Sequence, residues 1–360
     1  FEVTEEIIEN YNYSEAGKSA FVEFNKISIE NAASVINGIE KNKFSLLGVP
    51  TSIKDLYGVN GYKTRAGTPK ELPNKWEVQG PIVNTLTSHS SLITGKTHTV
   101  EFAFGGVGMN PHWGTPINPW DEKNHRVPGG SSSGAGVSLC TGTAALALGT
   151  DTAGSVRIPA SVTGNVGLKT TKNRWSTGGI VPLSSSFDTP GILTHTVEDC
   201  IFAFKELDKI SLYHKNDQAL SINSDIDFTF TTYDWFFDKC DDLINADIDS
   251  AIKKIEKNNK YKEVGSLSEI DGSHVLFTKG GLAAAEFASF MNGEMQELKA
   301  TLDPNVAFRI KDMDSFSAVE YLERKNDLEN MSHSINKKFE EFDVITVSYT
   351  HLTLPTNREV

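Results

Sequence analysis

The sequence is poor in cysteine, in basic residues and in long apolar runs, and each shortage excludes a class of protein. Three widely spaced cysteines in 360 residues are too few for a disulfide framework and predict a cytoplasmic location. No apolar run approaches the ~18 residues that a membrane span needs. The 34 basic and 47 acidic residues leave a formal charge of −13, which disfavours a nucleic-acid or anionic-membrane binder.

The two ends are unusual. The chain opens with Phe1 instead of Met, and its acidic first residues are unlike a signal peptide. Residues 348–360 (SYTHLTLPTNREV) resemble a translated sequencing adapter. We therefore expect one domain over residues 1–347, truncated at both ends, with residues 348–360 as a non-native tail.

Apolar spacing outside the glycine-rich centre predicts helices alternating with short strands. The predicted elements are a helix at 28–39 capped by Ser28, a strand at 46–53, a strand that ends at Gly95 before a helix from Thr97, and helices at 279–298 and 315–342. This mixture indicates an α/β fold.

Residues 129–191 hold 12 of the 29 glycines. Such a density is typical of tight turns and of close backbone approach around a site. Within this region we expect a small-residue helix at 134–139, a strand at 144–148 and a helix that starts near Ser155.

A group of eight aspartates suggests a calcium loop, but the spacing is wrong. The group consists of Asp225, Asp227, Asp234, Asp238, Asp241, Asp242, Asp247 and Asp249. A calcium loop has the pattern D-x-D-x-D-G, and Thr229 stands where the third ligand should be. We interpret the group as a solvated surface.

Two glycine motifs match known loops only in part. Residues 149–154 have the G-x-x-x-x-G spacing of a phosphate loop but lack the lysine that follows. Residues 130–134 match G-x-S-x-G, yet the preceding 124–128 are polar and end in proline, whereas a nucleophile elbow follows a strand. Both interpretations are disfavoured.

A serine–lysine site fits better. Ser155 follows a predicted strand and turn at a helix start, where backbone N–H groups could hold an oxyanion. Lys54 ends an apolar strand, and burial there could lower its pKa from ~10.4 to ~7 and make it a base. A serine between the two could relay the proton. The alternative, a structural glycine-rich turn with a surface lysine, stays open on these grounds.

Four ordered segments resemble the amidase signature family. They are 48–55 (GVPTSIKD), 128–136 (PGGSSSGAG), 149–160 (GTDTAGSVRIPA) and 167–171 (GLKTT), and the 24-residue separation of Ser131 and Ser155 also matches. The resemblance is close over about 47–199, followed by a more variable helical part over about 205–347. It implies a mixed sheet covered by helices on both faces.

The resemblance also implies a Ser-Ser-Lys triad. Ser155 would be the nucleophile, Ser131 the proton relay after a cis Gly130–Ser131 bond, and Lys54 the base. The other implied roles are the oxyanion N–H groups of Thr152, Ala153, Gly154 and Ser155, support of the relay by Ser132, and structural support by Asp151 and Arg157. Ala153 departs from the glycine of many members. No cofactor or metal is implied, and His98, His112 and His125, which lack ligand spacing, are predicted to be packing or surface residues.

The implied activity is hydrolysis of a small-molecule carboxamide through an acyl-enzyme. We expect no nucleic-acid or membrane partner, and a homodimer is left open. One alternative is the glutaminase subunit of the tRNA-dependent amidotransferase, which usually carries Leu-Asp-Gln where this chain has Ser-Phe-Asp-Thr-Pro-Gly at 186–191. The second alternative is a catalytically impaired binding homologue or fragment.

Overall fold

The computed structural model describes residues 2–40, 43–121, 123–210, 227–233, 236–237, 240–278 and 281–347. Its helices are α1 Glu2–Tyr13, α2 Glu15–Ser19, α3 Lys26–Ile36, α4 Pro81–Ser88, α5 Ser133–Cys140, α6 Arg157–Thr163, α7 Val197–Leu207, α8 Asp242–Ile255, α9 Ser268–Thr278, α10 Leu282–Glu294, α11 Pro304–Ile310 and α12 Ala318–Lys338. Its strands are β1 Phe21–Phe24, β2 Pro50–Lys54, β3 Leu92–Thr97, β4 Leu146–Asp151, β5 Val166–Lys169, β6 Thr189–Thr194, β7 Thr229–Thr232, β8 Lys260–Tyr261 and β9 Val344–Thr346.

These residues form two compact units. The first contains the described residues of Phe1–Gln218 together with Ser289–Phe308, and the second contains those of Ala219–Ala288 and Arg309–Val360. The organisation as one domain over residues 1–347 stays a prediction.

The first unit contains a six-stranded sheet in the order β1-β3-β2-β4-β6-β5. The central strands β3, β2 and β4 are parallel, while β1 and β6 pair antiparallel with their neighbours and β5 pairs antiparallel with β6. This mixed sheet with helices around it confirms the predicted α/β class.

Strand β4 and helix α5 lie in the centre of this unit. All six residues of β4 are buried, as are residues 133–139 of α5. A Cβ atom on Gly134 would lie only 2.1 Å from the carbonyl oxygen of Ala20, so a glycine is needed for α5 to approach so closely. The apolar residues that join α5, β4 and α6 are Ala135, Leu139, Ala147, Val156 and Ala160.

Two predicted boundaries are wrong. Helix α3 is capped by Asn25 and not by Ser28, because the Asn25 side chain precedes the helix and accepts a hydrogen bond from the Ser28 N–H at 3.0 Å. Strand β3 continues through Gly95, where the missing side chain admits the carbonyl oxygen of Glu23. The helix predicted from Thr97 is therefore replaced by strand, followed by a short 3-10 turn at Glu101–Ala103.

The second unit contains the parallel sheet β8-β7-β9, with Phe230 of β7 fully buried. Of the acidic group, Asp225, Asp234 and Asp238 lie outside the described residues, and Asp241 caps α8 by accepting the Leu243 N–H at 2.9 Å. Among the helices in the described ranges, none combines the length and apolar character that crossing a bilayer takes.

Candidate active site

Lys54 ends β2 with a completely buried side chain. Its Nζ atom donates to the Oγ of Ser131 at 2.7 Å and to the Oγ1 of Thr150 at 2.8 Å. Burial lowers the pKa of Lys54 to about 7, although the negative charges of Asp151 and Asp188 oppose the change. Near neutral pH a large fraction of Lys54 is therefore the free amine, which can accept a proton.

Ser131 lies in a loop whose backbone is held from two sides. The Gly130–Ser131 peptide bond is cis, as the resemblance implied. The N–H of Gly130 donates to the carbonyl of Gly106 at 2.8 Å, and the carbonyl of Ser131 accepts the N–H of Val100 at 3.1 Å. Ser131 is fully buried, so its hydroxyl faces Lys54 away from bulk water.

Ser132 connects this loop to the segment that carries Ser155. Its N–H donates to the carbonyl of Ser155 at 3.2 Å, and its Oγ donates to the carbonyl of Thr150 at 3.3 Å. The structure thus brings the predicted relay and nucleophile segments side by side.

Ser155 stands between β4 and α6, nearly buried at 8% exposure. Asp151 fastens this turn: its carboxylate accepts the N–H of Gly154 at 2.7 Å, the N–H of Val156 at 3.2 Å and the guanidinium of Arg157 at 2.9 Å. Burial alone would raise the pKa of Asp151, but these hydrogen bonds and the Arg157 charge outweigh it and hold the pKa below its usual range. Asp151 is therefore an ionised anchor of the turn.

The hydrogen bond to Asp151 changes the set of available oxyanion donors. Gly154 was expected to contribute its N–H, but that single hydrogen already points at the Asp151 carboxylate. The N–H groups of Thr152, Ala153 and Ser155 have no hydrogen-bond partner within the described part of the chain. These three remain the candidates for holding an oxyanion.

Sequence reasoning missed three buried contacts of the site. Thr150 accepts the Lys54 hydrogen bond, Tyr57 donates its hydroxyl to the carbonyl of Gly149 at 2.6 Å, and Asp188 accepts the Thr152 hydroxyl at 2.6 Å. Thr150 lies within the matching segment 149–160, so its place between Gly149 and Asp151 was a usable signal.

A buried ion pair lies next to the base. The Nζ of Lys96 on β3 is 2.9 Å from the Oδ1 of Asp55, and both side chains are fully buried. Lys96 also donates to the Oγ1 of Thr64 at 3.1 Å. Burial raises the pKa of Asp55 in spite of Lys96. This pair ties the residue after Lys54 to the neighbouring strand.

The three histidines have separate environments. His98 is 4% exposed, and burial lowers its pKa to about 4, so it is neutral. His112 Nε2 lies 3.1 Å from Oε1 of buried Glu101, whose Oε2 accepts the Asp303 N–H at 2.7 Å. Burial raises the pKa of Glu101 to about 7. His125 lies 3.3 Å from the carbonyl of Pro116.

Several known proteins are similar to this chain. The family model described as Amidase matches residues 2–360. The chain is 46% identical over 300 residues to 2-amino-5-chloromuconic acid deaminase of Comamonas testosteroni, over 83% of this chain and 64% of that protein. It is 37% identical over 202 residues to the A-type subunit of glutamyl-tRNA(Gln) amidotransferase of Pediococcus pentosaceus, over 55% of this chain and 41% of that one.

A solved structure described as an amidase superimposes with a TM-score of 0.85 at 26% identity, over 95% of this chain and 76% of that chain. The chain thus spans less than two thirds of the length of the two curated relatives and about three quarters of this structural neighbour.

Proposed function

Because this chain belongs to the amidase family, we propose that it hydrolyses a carboxamide C–N bond with Ser155 as nucleophile, Ser131 as relay and Lys54 as base. The observation that carries the proposal is the 2.7 Å contact between the Nζ of Lys54 and the Oγ of Ser131, in a fully buried setting. A base for a serine hydroxyl needs a pKa near the working pH, and Lys54 at about 7 meets that condition.

The proposed reaction has two halves. The Ser155 oxygen attacks the amide carbon while its proton passes to Ser131 and the proton of Ser131 passes to Lys54. The carbonyl oxygen becomes an oxyanion near the N–H groups of Thr152, Ala153 and Ser155. The proton returns through Ser131 to the leaving nitrogen, the C–N bond breaks, and ammonia or an amine departs. Water then cleaves the acyl-enzyme by the same proton path.

A second candidate function is deamination of an unsaturated amino diacid. The 46% identity to 2-amino-5-chloromuconic acid deaminase over 300 residues favours it. That relative removes an amino group, so both candidates release nitrogen from a small molecule. The alternative of a glutaminase within a tRNA-dependent amidotransferase is disfavoured by the Asp-Thr-Pro-Gly run at 188–191.

The test is ammonia or amine release by the 360-residue chain from four probes: an aliphatic amide, an aryl amide, glutamine and 2-aminomuconic acid. Turnover of either simple amide supports the amidase proposal. Turnover of 2-aminomuconic acid alone selects the deaminase, and turnover of glutamine alone selects the glutaminase.

The matched control is Ser155→Ala. A fluorophosphonate probe should label Ser155 in the wild-type chain and leave the variant unlabelled. A chain that turns over no probe and is not labelled overturns the proposal in favour of a binding homologue.

A further inference from the structure

Asp188 is a nearly buried carboxylate that the proposed mechanism does not use. It stands immediately before β6 and is 8% exposed. Its Oδ2 accepts the backbone N–H groups of Leu183 at 2.8 Å and of Ser184 at 2.9 Å. Its Oδ1 accepts the hydroxyl of Thr152 at 2.6 Å. The carboxylate therefore joins the 183–188 turn to the residue that follows β4.

Thr152 needs such an anchor because the rest of its turn is held from elsewhere. Asp151 fastens Gly154 and Val156, which lie on the far side of Ala153. At the near side, the hydroxyl of Thr189 donates to the carbonyl of Asp151 at 2.6 Å. The direction of the peptide planes at 152 and 153 then depends on what holds the Thr152 side chain.

We infer that Asp188 is a positioning residue, which orients the N–H groups of Thr152 and Ala153 toward the oxyanion by holding the Thr152 hydroxyl. This inference rests on the proposed function. Because an oxyanion forms only during the reaction, loss of the anchor should lower kcat and leave KM nearly unchanged.

Asp188 also acts on the base through its charge. The charged groups that face Lys54 are Asp151, from β4, and Asp188, and both raise its pKa against the effect of burial. Asp188 itself faces Lys172 and the hydroxyl of Tyr57. Removal of the Asp188 charge should therefore move the acidic limb of the activity profile to lower pH. A purely structural carboxylate would not produce that shift.

The experiment compares Thr152→Val, Thr152→Ser and Asp188→Asn in the 360-residue chain, with an aryl amide as substrate. Thr152→Val removes the hydroxyl and should lower kcat about tenfold or more, the scale of a hydrogen bond to a charged group. Thr152→Ser keeps the hydroxyl and should restore most of the loss. Asp188→Asn should lower kcat and shift the pH profile downward.

The chain offers a matched control pair. The hydroxyl of Thr196 donates to the Oδ2 of Asp199 at 2.7 Å, just beyond the opposite end of β6. Thr196→Val and Asp199→Asn remove the same kind of contact there, so they should leave kcat unchanged even if the helix that Thr196 caps is weakened.

The outcomes separate this inference from the proposed function. If fluorophosphonate does not label Ser155 in the wild-type chain, the proposed function fails. If the wild-type chain is labelled and Thr152→Val has the wild-type kcat, the positioning inference is overturned and the proposed function stands. Should Thr152→Val not fold, Asp188→Asn decides, and an unshifted pH profile with wild-type kcat overturns the inference.

Discussion

The Nζ atom of Lys54 lies 2.7 Å from the Oγ atom of Ser131, although 77 residues separate them in the chain. The contact joins the end of a central strand to the loop before α5, and both side chains are fully buried. A lysine in this setting exchanges protons with a serine and not with bulk water, which is what a proton relay requires.

The first prediction concerns this lysine. Lys54→Ala should reduce kcat by about 10²–10⁴-fold, the usual contribution of a positioned base. In the wild-type chain kcat/KM should rise about tenfold per pH unit below about 7 and level off above it, because only the neutral amine accepts a proton. Steady-state kinetics from pH 5 to pH 9 measure both effects.

Lys54→Arg is the control for charge. A guanidinium stays protonated, so this variant should be as inactive as Lys54→Ala. Near-normal turnover by the arginine variant would show that Lys54 contributes positive charge only.

The second prediction concerns the buried pair Lys96–Asp55, whose charged atoms lie 2.9 Å apart. Lys96→Met leaves an unpaired buried carboxylate and should lower the free energy of unfolding by about 3–5 kcal/mol. The double variant Lys96→Met, Asp55→Asn should lose less than the sum of the single losses, because neither group is then left as an isolated charge. Urea unfolding of the four proteins measures the coupling, and additive losses contradict the prediction.

The third prediction concerns Gly149, which lies opposite Gly191 in the β4–β6 pair. A Cβ atom on Gly149 would lie 2.8 Å from the Oγ of Ser132 and 2.9 Å from Cγ2 of Val156. Gly149→Ala should therefore move the serine loop and the α6 start apart, with reduced kcat and a lower melting temperature. Both quantities are measured on the purified variant.

Gly293→Ala is the matched control for that substitution. Gly293 lies in α10, and a Cβ atom there would meet nothing within 4 Å. The substitution should keep kcat and add roughly 0.5–1 kcal/mol of stability, since alanine favours a helix. A Gly149→Ala variant as active and stable as Gly293→Ala would contradict the close packing described above.

The fourth prediction concerns Glu101, whose pKa is raised by burial from its ordinary value of 4.5 to about 7. Between these values the folded chain holds a proton that the unfolded chain has lost, so stability decreases as the pH rises from about 4.5 to about 7. Glu101→Gln removes this dependence. The free energy of unfolding of the variant, relative to wild type, should therefore increase over that range and stay constant above it.

Urea unfolding at several pH values checks this, with Glu297→Gln at an exposed position as control. A relative stability of Glu101→Gln that falls with rising pH would contradict the buried setting of the carboxyl.

Several features of the site could be predicted from the sequence because they are local. Lys54 ends an apolar strand, Ser155 follows a strand and a glycine turn, and both positions are read from neighbouring residues. The pairing of these segments required the family resemblance, since spacing alone left a structural turn with a surface lysine open.

The features that escaped prediction depend on distant contacts. Thr150 meets Lys54 across 96 residues, and Asp188 meets Thr152 across 36, so neither contact follows from local pattern. Whether Gly154 offers a free N–H is decided by the side chain of Asp151. The continuation of β3 through Gly95 depends on the approach of Glu23 from a strand far earlier in the chain.

The parallel pairing of β2 and β4 places Ile53 opposite Leu148. From that pairing the side chain of Lys54 reaches Thr150 on the adjacent strand. A slip of β4 by one residue would displace it by about 3.3 Å and turn its alternate side chains to the opposite face. Such a displacement is larger than any hydrogen bond tolerates. Correct strand alignment during folding and the creation of a continuous route for the proton are therefore a single event in this protein.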